Sequence, residues 1–161
     1  MNVVTGDLLR LALDGLFDVI VHGCNCQCAM GKGIALSIKQ QFPEAYDADR
    51  RTPKGDRAKL GTISTAEIVR PPARFKVVNA YTQFDYRGEG VLADYNAIRS
   101  AFRLIKQRFA GHRIGYPKIG AGLAKGDWAV IAAIIDEELA GEDHTLVEFL
   151  PAPDGRPAGD R

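Results

Sequence analysis

The sequence predicts an α/β domain with helices able to cover both faces of a sheet, and three observations carry that prediction. Short β-rich apolar runs alternate with segments of helical period. Glycine-rich loops stand directly between strand and helix. The chain of 161 residues is the length of one domain, able to bury roughly two-thirds of its unfolded surface. Apolar residues make up 46% and charged residues 25%, ordinary values for a globular protein.

In chain order, residues 2–5 fit a short edge strand, and "DVIVHGC" (18–24) is a compact buried one. A helix carrying Ile34, Ile38 and Phe42 stops before Pro43, since the residue preceding a proline is driven out of helical geometry. "GTISTAEIV" (61–69) reads as a less buried strand, and "FKVVNAYT" (75–82) as a buried one. From Asp94 to Phe109, Tyr95, Ile98, Phe102, Ile105 and Phe109 recur at three- and four-residue steps, leaving Arg99, Arg103, Lys106 and Arg108 outside. That helix ends at Gly111. "RIGYPKI" (113–119) is a further strand, and a helix opened near Asp127 buries Trp128, Ile131, Ile135 and Leu139. "HTLVEFL" (144–150) closes the sheet, and 151–161, rich in Pro and Gly, reads as a disordered tail beyond a single domain at 1–150.

No apolar stretch approaches a membrane span, so no membrane partner is expected. "MNVVTGDLLR" has no basic region followed by an apolar run, which makes the cytoplasm the expected location. All three cysteines lie between Cys24 and Cys28 and cannot staple distant parts of the chain, so they read as reduced thiols. A net charge of +1 gives no global field for nucleic acid. The local basic stretch Arg50, Arg51, Lys54, Arg57 and Lys59 reads as a solvated loop.

The stretch "VHGCNCQCAMGKGIALSIKQQFP" (21–43) admits three chemistries. A structural zinc site needs four ligands, and Cys26-x-Cys28 has no second pair, while His22, His112 and His144 show no ligand spacing. A nucleophilic thiol needs a base and an electropositive setting, whereas Cys24 and Cys26 end an apolar strand. An anion site fits better: "MGKGIA" places glycines where backbone approaches a ligand and follows them with a helix N-terminus. Such loops also occur without a ligand. "PKIGAGLAKGDW" (117–128) repeats the arrangement with Gly120, Gly122 and Gly126 before a helix. Two such loops at strand C-termini can wall one crevice and grip a diphosphate from both sides. Neither matches the G-x-x-x-x-G-K-[ST] pattern, nor is there a G-x-G-x-x-G, which argues against ATP hydrolysis and nicotinamide chemistry.

The order "TGDLL", "VIVHGCNCQCAMGKGIA", "NAYT", "PKIGAGLAKGDW" and "TLVEFL" resembles the macrodomain family over residues 2 to about 150. The resemblance implies a three-layer α/β/α sandwich with a central mixed sheet that binds ADP-ribose as a monomer and needs no metal or cofactor. "HGCNC" is similar to the ADP-ribose-1″-phosphate phosphatases, and "MGKGIALSIKQQFP" to the branch of terminal ADP-ribose glycohydrolases and DNA ADP-ribosyl antitoxins.

By that resemblance, Asp7 meets the adenine amino group with the Leu8 backbone beside it, although Asp7 also fits a helix N-cap. Phe149 stacks on adenine or is plain core. Met30, Gly31, Lys32, Gly33, Ile34 and Ala35 form the first diphosphate loop, with Lys32 alternatively an exposed loop cation. Gly120, Ala121, Gly122, Leu123 and Ala124 form the second, and Thr82 ends the strand beside the site. Asn25 contacts the distal ribose, with an amide that can both donate and accept. His22 supplies a proton near neutral pH or sits satisfied in the core. Asp127 orients water or caps its helix. The glycohydrolase branch has a lysine where this chain has Gln83, and a carboxylate where it has Ala124. Those departures favour hydrolysis of ADP-ribose-1″-phosphate over removal of ADP-ribose from protein or nucleic acid; a non-catalytic ADP-ribose reader is the other alternative.

Overall fold

The computed structural model describes residues 1–150; the expected disordered tail lies outside the described residues. Six strands form one sheet, with β1 at Asn2–Gly6, β2 at Val19–Asn25, β3 at Ile63–Arg70, β4 at Ala73–Gln83, β5 at Ile114–Tyr116 and β6 at His144–Phe149. Five helices accompany them: α1 at Leu8–Leu13, α2 at Gly33–Gln41, α3 at Pro43–Arg50, α4 at Tyr95–Phe109 and α5 at Trp128–Glu138. The spatial order is β1-β6-β5-β2-β4-β3. Every neighbouring pair is parallel except β3 with β4, so the sheet is mixed.

Side-chain alternation along the buried strands divides the interior in two. Val19 and Val21 of β2, Val78 of β4 and Leu146 of β6 face α4 and α5, where they meet Ile98, Phe102, Ile105, Ile131 and Ile135. Ile20, Val77 and Val147 point the other way, onto Leu8, Leu9, Ile38, Phe42 and Ala45 of the α1–α3 side. Three layers result. The period read between Asp94 and Phe109 is that of α4, with Asp94 capping it by accepting from the Ala97 N–H at 2.9 Å.

One local expectation needs correction, and one helix was not foreseen. The strand read over 113–119 ends at Tyr116 because Pro117, which has no N–H for the ladder, turns the chain out of the sheet. Helix α3 was not legible: its core face is only Ala45, Ala48 and Asp49, too small and polar for an apolar period. Pro43 ends α2 and also opens α3 at a position where its missing N–H costs nothing. The Phe42 ring between them is buried edge-on against Phe75, centroids 5.2 Å apart.

The connections that follow β2 and β5 fix where a ligand goes. These strands are parallel neighbours, but β2 leads to α2 on one face and β5 leads to α5 on the other. Their loops part at the C-terminal edge of the sheet and leave a crevice, the usual ligand position in an open α/β sheet.

Candidate functional site

The crevice is a two-lobed cleft. One lobe, with a volume of 530 Å³, is lined by Gly6, Asp7 and Leu8 after β1, by Ile34 and Ser37 of α2, and by Val147 and Phe149 of β6. The other, 540 Å³, is lined by Gly23, Cys24 and Asn25 of β2, by Gln83 and Tyr86, and by the loop from Pro117 to Ala124. Gly31, Lys32, Gly33, Ile34, Pro117 and Leu123 border both lobes. The loops come together there: a Cβ on Gly33 would lie 3.8 Å from Leu123 Cδ1.

The backbone at that waist is open to the cleft. Asp7, Asp94 and Asp127 each cap their helix with a carboxylate, but α2 starts at Lys32 with no side-chain cap, so no side chain competes for its first N–H groups. Gly33 opens α2 with φ +58°, a left-handed turn that favours glycine. A Cβ on Gly31 beside it, or on Gly122 across the cleft, would meet no heavy atom within 4 Å, so the backbone at both places borders open space. Gly126 serves packing instead, since its Cβ would lie 2.5 Å from the Gly120 carbonyl oxygen.

Asp7, Leu8 and Phe149 all line the outer lobe. Asp7 accepts from the Leu9 N–H at 3.1 Å as the α1 cap and also lines the lobe. Phe149 is 41% exposed at the end of β6, which rules out plain core and turns its ring toward the cleft.

Asn25 lines the inner lobe, and its amide is more committed than its chemistry suggested. Its Oδ1 accepts from the N–H groups of Gln27 at 2.9 Å and Ala29 at 3.4 Å, and its Nδ2 donates to the Ala29 carbonyl at 2.8 Å. The acceptor capacity is thereby used in holding the 25–29 turn, and one amide hydrogen remains for a ligand. Gln83 lines the lobe and donates to the Asp85 carbonyl at 3.0 Å.

Five of the expected site residues lie elsewhere. His22 is fully buried with its Nε2 2.6 Å from Asn79 Oδ1, and burial lowers its pKa to about 4, against which the Asn79 contact works. It is neutral at pH 7, lines neither lobe, and is the core histidine rather than the proton donor. Asp127 caps α5 by accepting from the Ala129 N–H at 2.9 Å and is absent from the cleft lining. Thr82 is buried, its hydroxyl beneath Gly23, where a Cβ would come within 2.8 Å of it. Ala121 packs against the α4–α5 core, and Met30 is a core residue bordering a neighbouring cavity.

Cys24 Sγ lies 3.4 Å from His22 Nε2, a thiol–imidazole contact in which burial disfavours the charged form of both groups. Cys24 lines the inner lobe, but burial pushes its pKa well up, and the nearby Asp49 carboxylate pushes the same way. Cys26 is also raised by burial. Among the described residues no group of three or more His, Cys, Asp or Glu could hold a metal ion, and no helix is long and apolar enough to cross a membrane.

Sequence reasoning missed Tyr86, Gln41, Ser37 and Val147 of the lining. Val147 had a signal, being one of the strand residues flanking Phe149. Tyr86 had none, since an aromatic in a glycine-rich segment carries no period.

A model of the Macro domain family matches residues 21–135. The chain belongs to the macrodomain family. This macrodomain is 31% identical, over 94% of its length and 97% of the other, to an uncharacterized 17.5 kDa protein of Enterobacteria phage T4. It is 27% identical to the DNA ADP-ribosyl glycohydrolase of Mycobacterium tuberculosis over 77% of this chain, which spans only 34% of that protein. Identity to an ADP-ribose 1″-phosphate phosphatase of Ajellomyces capsulatus is 43%, confined to 29% of this chain and 18% of that one. Among solved structures, a Bacteroides thetaiotaomicron protein of unknown function superposes with a TM-score of 0.78 at 25% identity, covering 93% of this chain and 99% of the other. The macrodomain of Mycobacterium tuberculosis DarG gives 0.70 at 23% identity, covering 94% and 97%, and shares the fold.

Proposed function

We propose that this macrodomain binds ADP-ribose across the cleft and hydrolyses ADP-ribose-1″-phosphate. The carrying observation is the waist: the uncapped N-terminus of α2 faces the Gly120–Ala124 loop, with a lobe on either side. A diphosphate at the waist accepts from backbone amides on both walls. Adenosine then falls in the outer lobe, where Asp7 selects an exocyclic amine and Phe149 offers a ring face. The distal ribose falls in the inner lobe beside Asn25.

Hydrolysis of the 1″-phosphate requires water to attack phosphorus while the C1″ oxygen leaves with the bonding electrons and takes up the proton that the water gives up. That oxygen belongs to a hemiacetal, whose ring oxygen stabilises the departing anion, so the step does not depend on a strong general acid. This suits an inner lobe whose expected acid, His22, is buried and neutral. The remaining Asn25 amide hydrogen orients the sugar, and charge that grows on the phosphoryl oxygens calls for donors or cations beside the inner lobe.

Gln83 and Ala124, where the glycohydrolase branch has a lysine and a carboxylate, favour the phosphatase. The reading of ADP-ribose removal from macromolecules is supported instead by the longer likeness to the mycobacterial glycohydrolase. One panel separates them: phosphate released from ADP-ribose-1″-phosphate, and ADP-ribose released from modified protein and modified DNA. Phosphate release alone is expected. ADP-ribose release without phosphate release establishes a glycohydrolase, and binding without turnover a reader.

A further inference from the structure

Beside the inner lobe lies a third cavity, of 370 Å³, whose lining includes Gln27, Lys39, Tyr46, Lys54, Tyr86 and Arg87. It adjoins the inner lobe, with Ala29, Gly31 and Tyr86 bordering both. Three cations line it and no carboxylate does.

The charges are not equivalent. Arg87 is balanced by Asp85, its Nε 3.1 Å from the carboxylate. Lys39 has only the Tyr46 ring, 4.3 Å from its Nζ, and Lys54 has no ion pair among the described residues. Two positive charges are therefore uncompensated beside the place assigned to the distal ribose. The backbone next to the exposed Lys54 is tied to the turn after β2, since the Gly55 N–H donates to the Cys26 carbonyl at 2.7 Å and Lys59 Nζ donates to the same oxygen at 3.3 Å. The basic stretch thus divides into a buried anchor, Lys59, and a cavity-facing cation, Lys54.

We propose that this side cavity is the subsite for the phosphate carried on the distal ribose, and that Lys39 and Lys54 set the preference for a phosphorylated over an unphosphorylated ligand. The inference rests on the ADP-ribose reading of the cleft and adds the residues that recognise the reacting group. Two lysines present point charges to a dianion without demanding one geometry, and the cavity has room for the attacking water beside the phosphate.

The test is a calorimetric titration of the full chain with ADP-ribose and with its 1″-methylenephosphonate analogue, in which a carbon replaces the ester oxygen so that nothing is turned over. Wild-type protein should bind the phosphonate at least about tenfold more tightly, the scale of one charge-assisted contact. The double variant K39Q/K54Q should bind both ligands alike, with ADP-ribose affinity and melting temperature unchanged. R108Q, a charge removed from α4 away from both cavities, should keep the preference. Equal binding of the two ligands by wild type overturns the proposal, as does a double variant that weakens both equally. Failure of wild type to bind ADP-ribose at all refutes the cleft reading itself, and the subsite with it.

Discussion

Replacing Gly122 with leucine separates ligand binding from folding, because the structure places this glycine against open space rather than against protein. A Cβ there meets nothing within 4 Å, and its φ is not among those in the left-handed region. The substitution should therefore change stability by no more than about 0.5 kcal/mol, as for a tolerant surface position. The added side chain enters the space assigned to the diphosphate and pushes it off the 120–124 wall. Hydrogen bonds to a charged group contribute roughly 1.5–3 kcal/mol each. Losing two of them costs about 3 kcal/mol or more, on the order of a hundredfold in affinity. Calorimetry with ADP-ribose reads the loss, and a thermal melt reads the fold. A well-folded G122L protein that binds ADP-ribose as tightly as wild type would refute placement of the second loop in the site.

Other residues give predictions of different sign. The unfolded chain protonates His22 near pH 6.5 while the folded one resists until about pH 4, so its contribution is complete above pH 6.5 and is lost as pH falls through that window. The loss should reach about 3 kcal/mol at the lower end, and H22Q, which can still bond to Asn79, should show a flatter pH dependence in denaturant titrations; parallel curves would contradict it. Asp127→Ala should cost about 1 kcal/mol of stability through the lost cap, while D127N keeps both stability and turnover; a D127N protein that folds but is inactive would restore Asp127 to catalysis. Cys24→Ala and Cys26→Ser should retain turnover per folded molecule, and loss of turnover with nucleotide binding intact would show a reacting thiol.

The parts of the fold carried by long apolar periods were legible in the sequence. Ile98, Phe102, Ile105 and Phe109 announce α4, and the unbroken run at β2 announces a strand buried on both faces. Helix α3 was not, because Ala45 and Ala48 bury without a period and Phe42 does the anchoring from outside the helix. Within the site, glycines were the readable signal, since backbone approach leaves a mark in residue type. What the sequence left open was the choice between two uses of one residue. Aspartate serves equally as cap or ligand, and only placement shows Asp7 as a cap at the cleft and Asp127 as a cap outside the cleft lining. His22 and Asn25 share one strand, yet pleat and partner send the first into the core and leave the second at the cleft.

Calorimetric titration of wild-type protein with ADP-ribose and with AMP tests the central claim most directly, because AMP reaches only the outer lobe and one side of the waist. The account predicts ADP-ribose binding tighter by about a hundredfold or more, from the second phosphate and the distal ribose together. Equal affinities for the two nucleotides would contradict it.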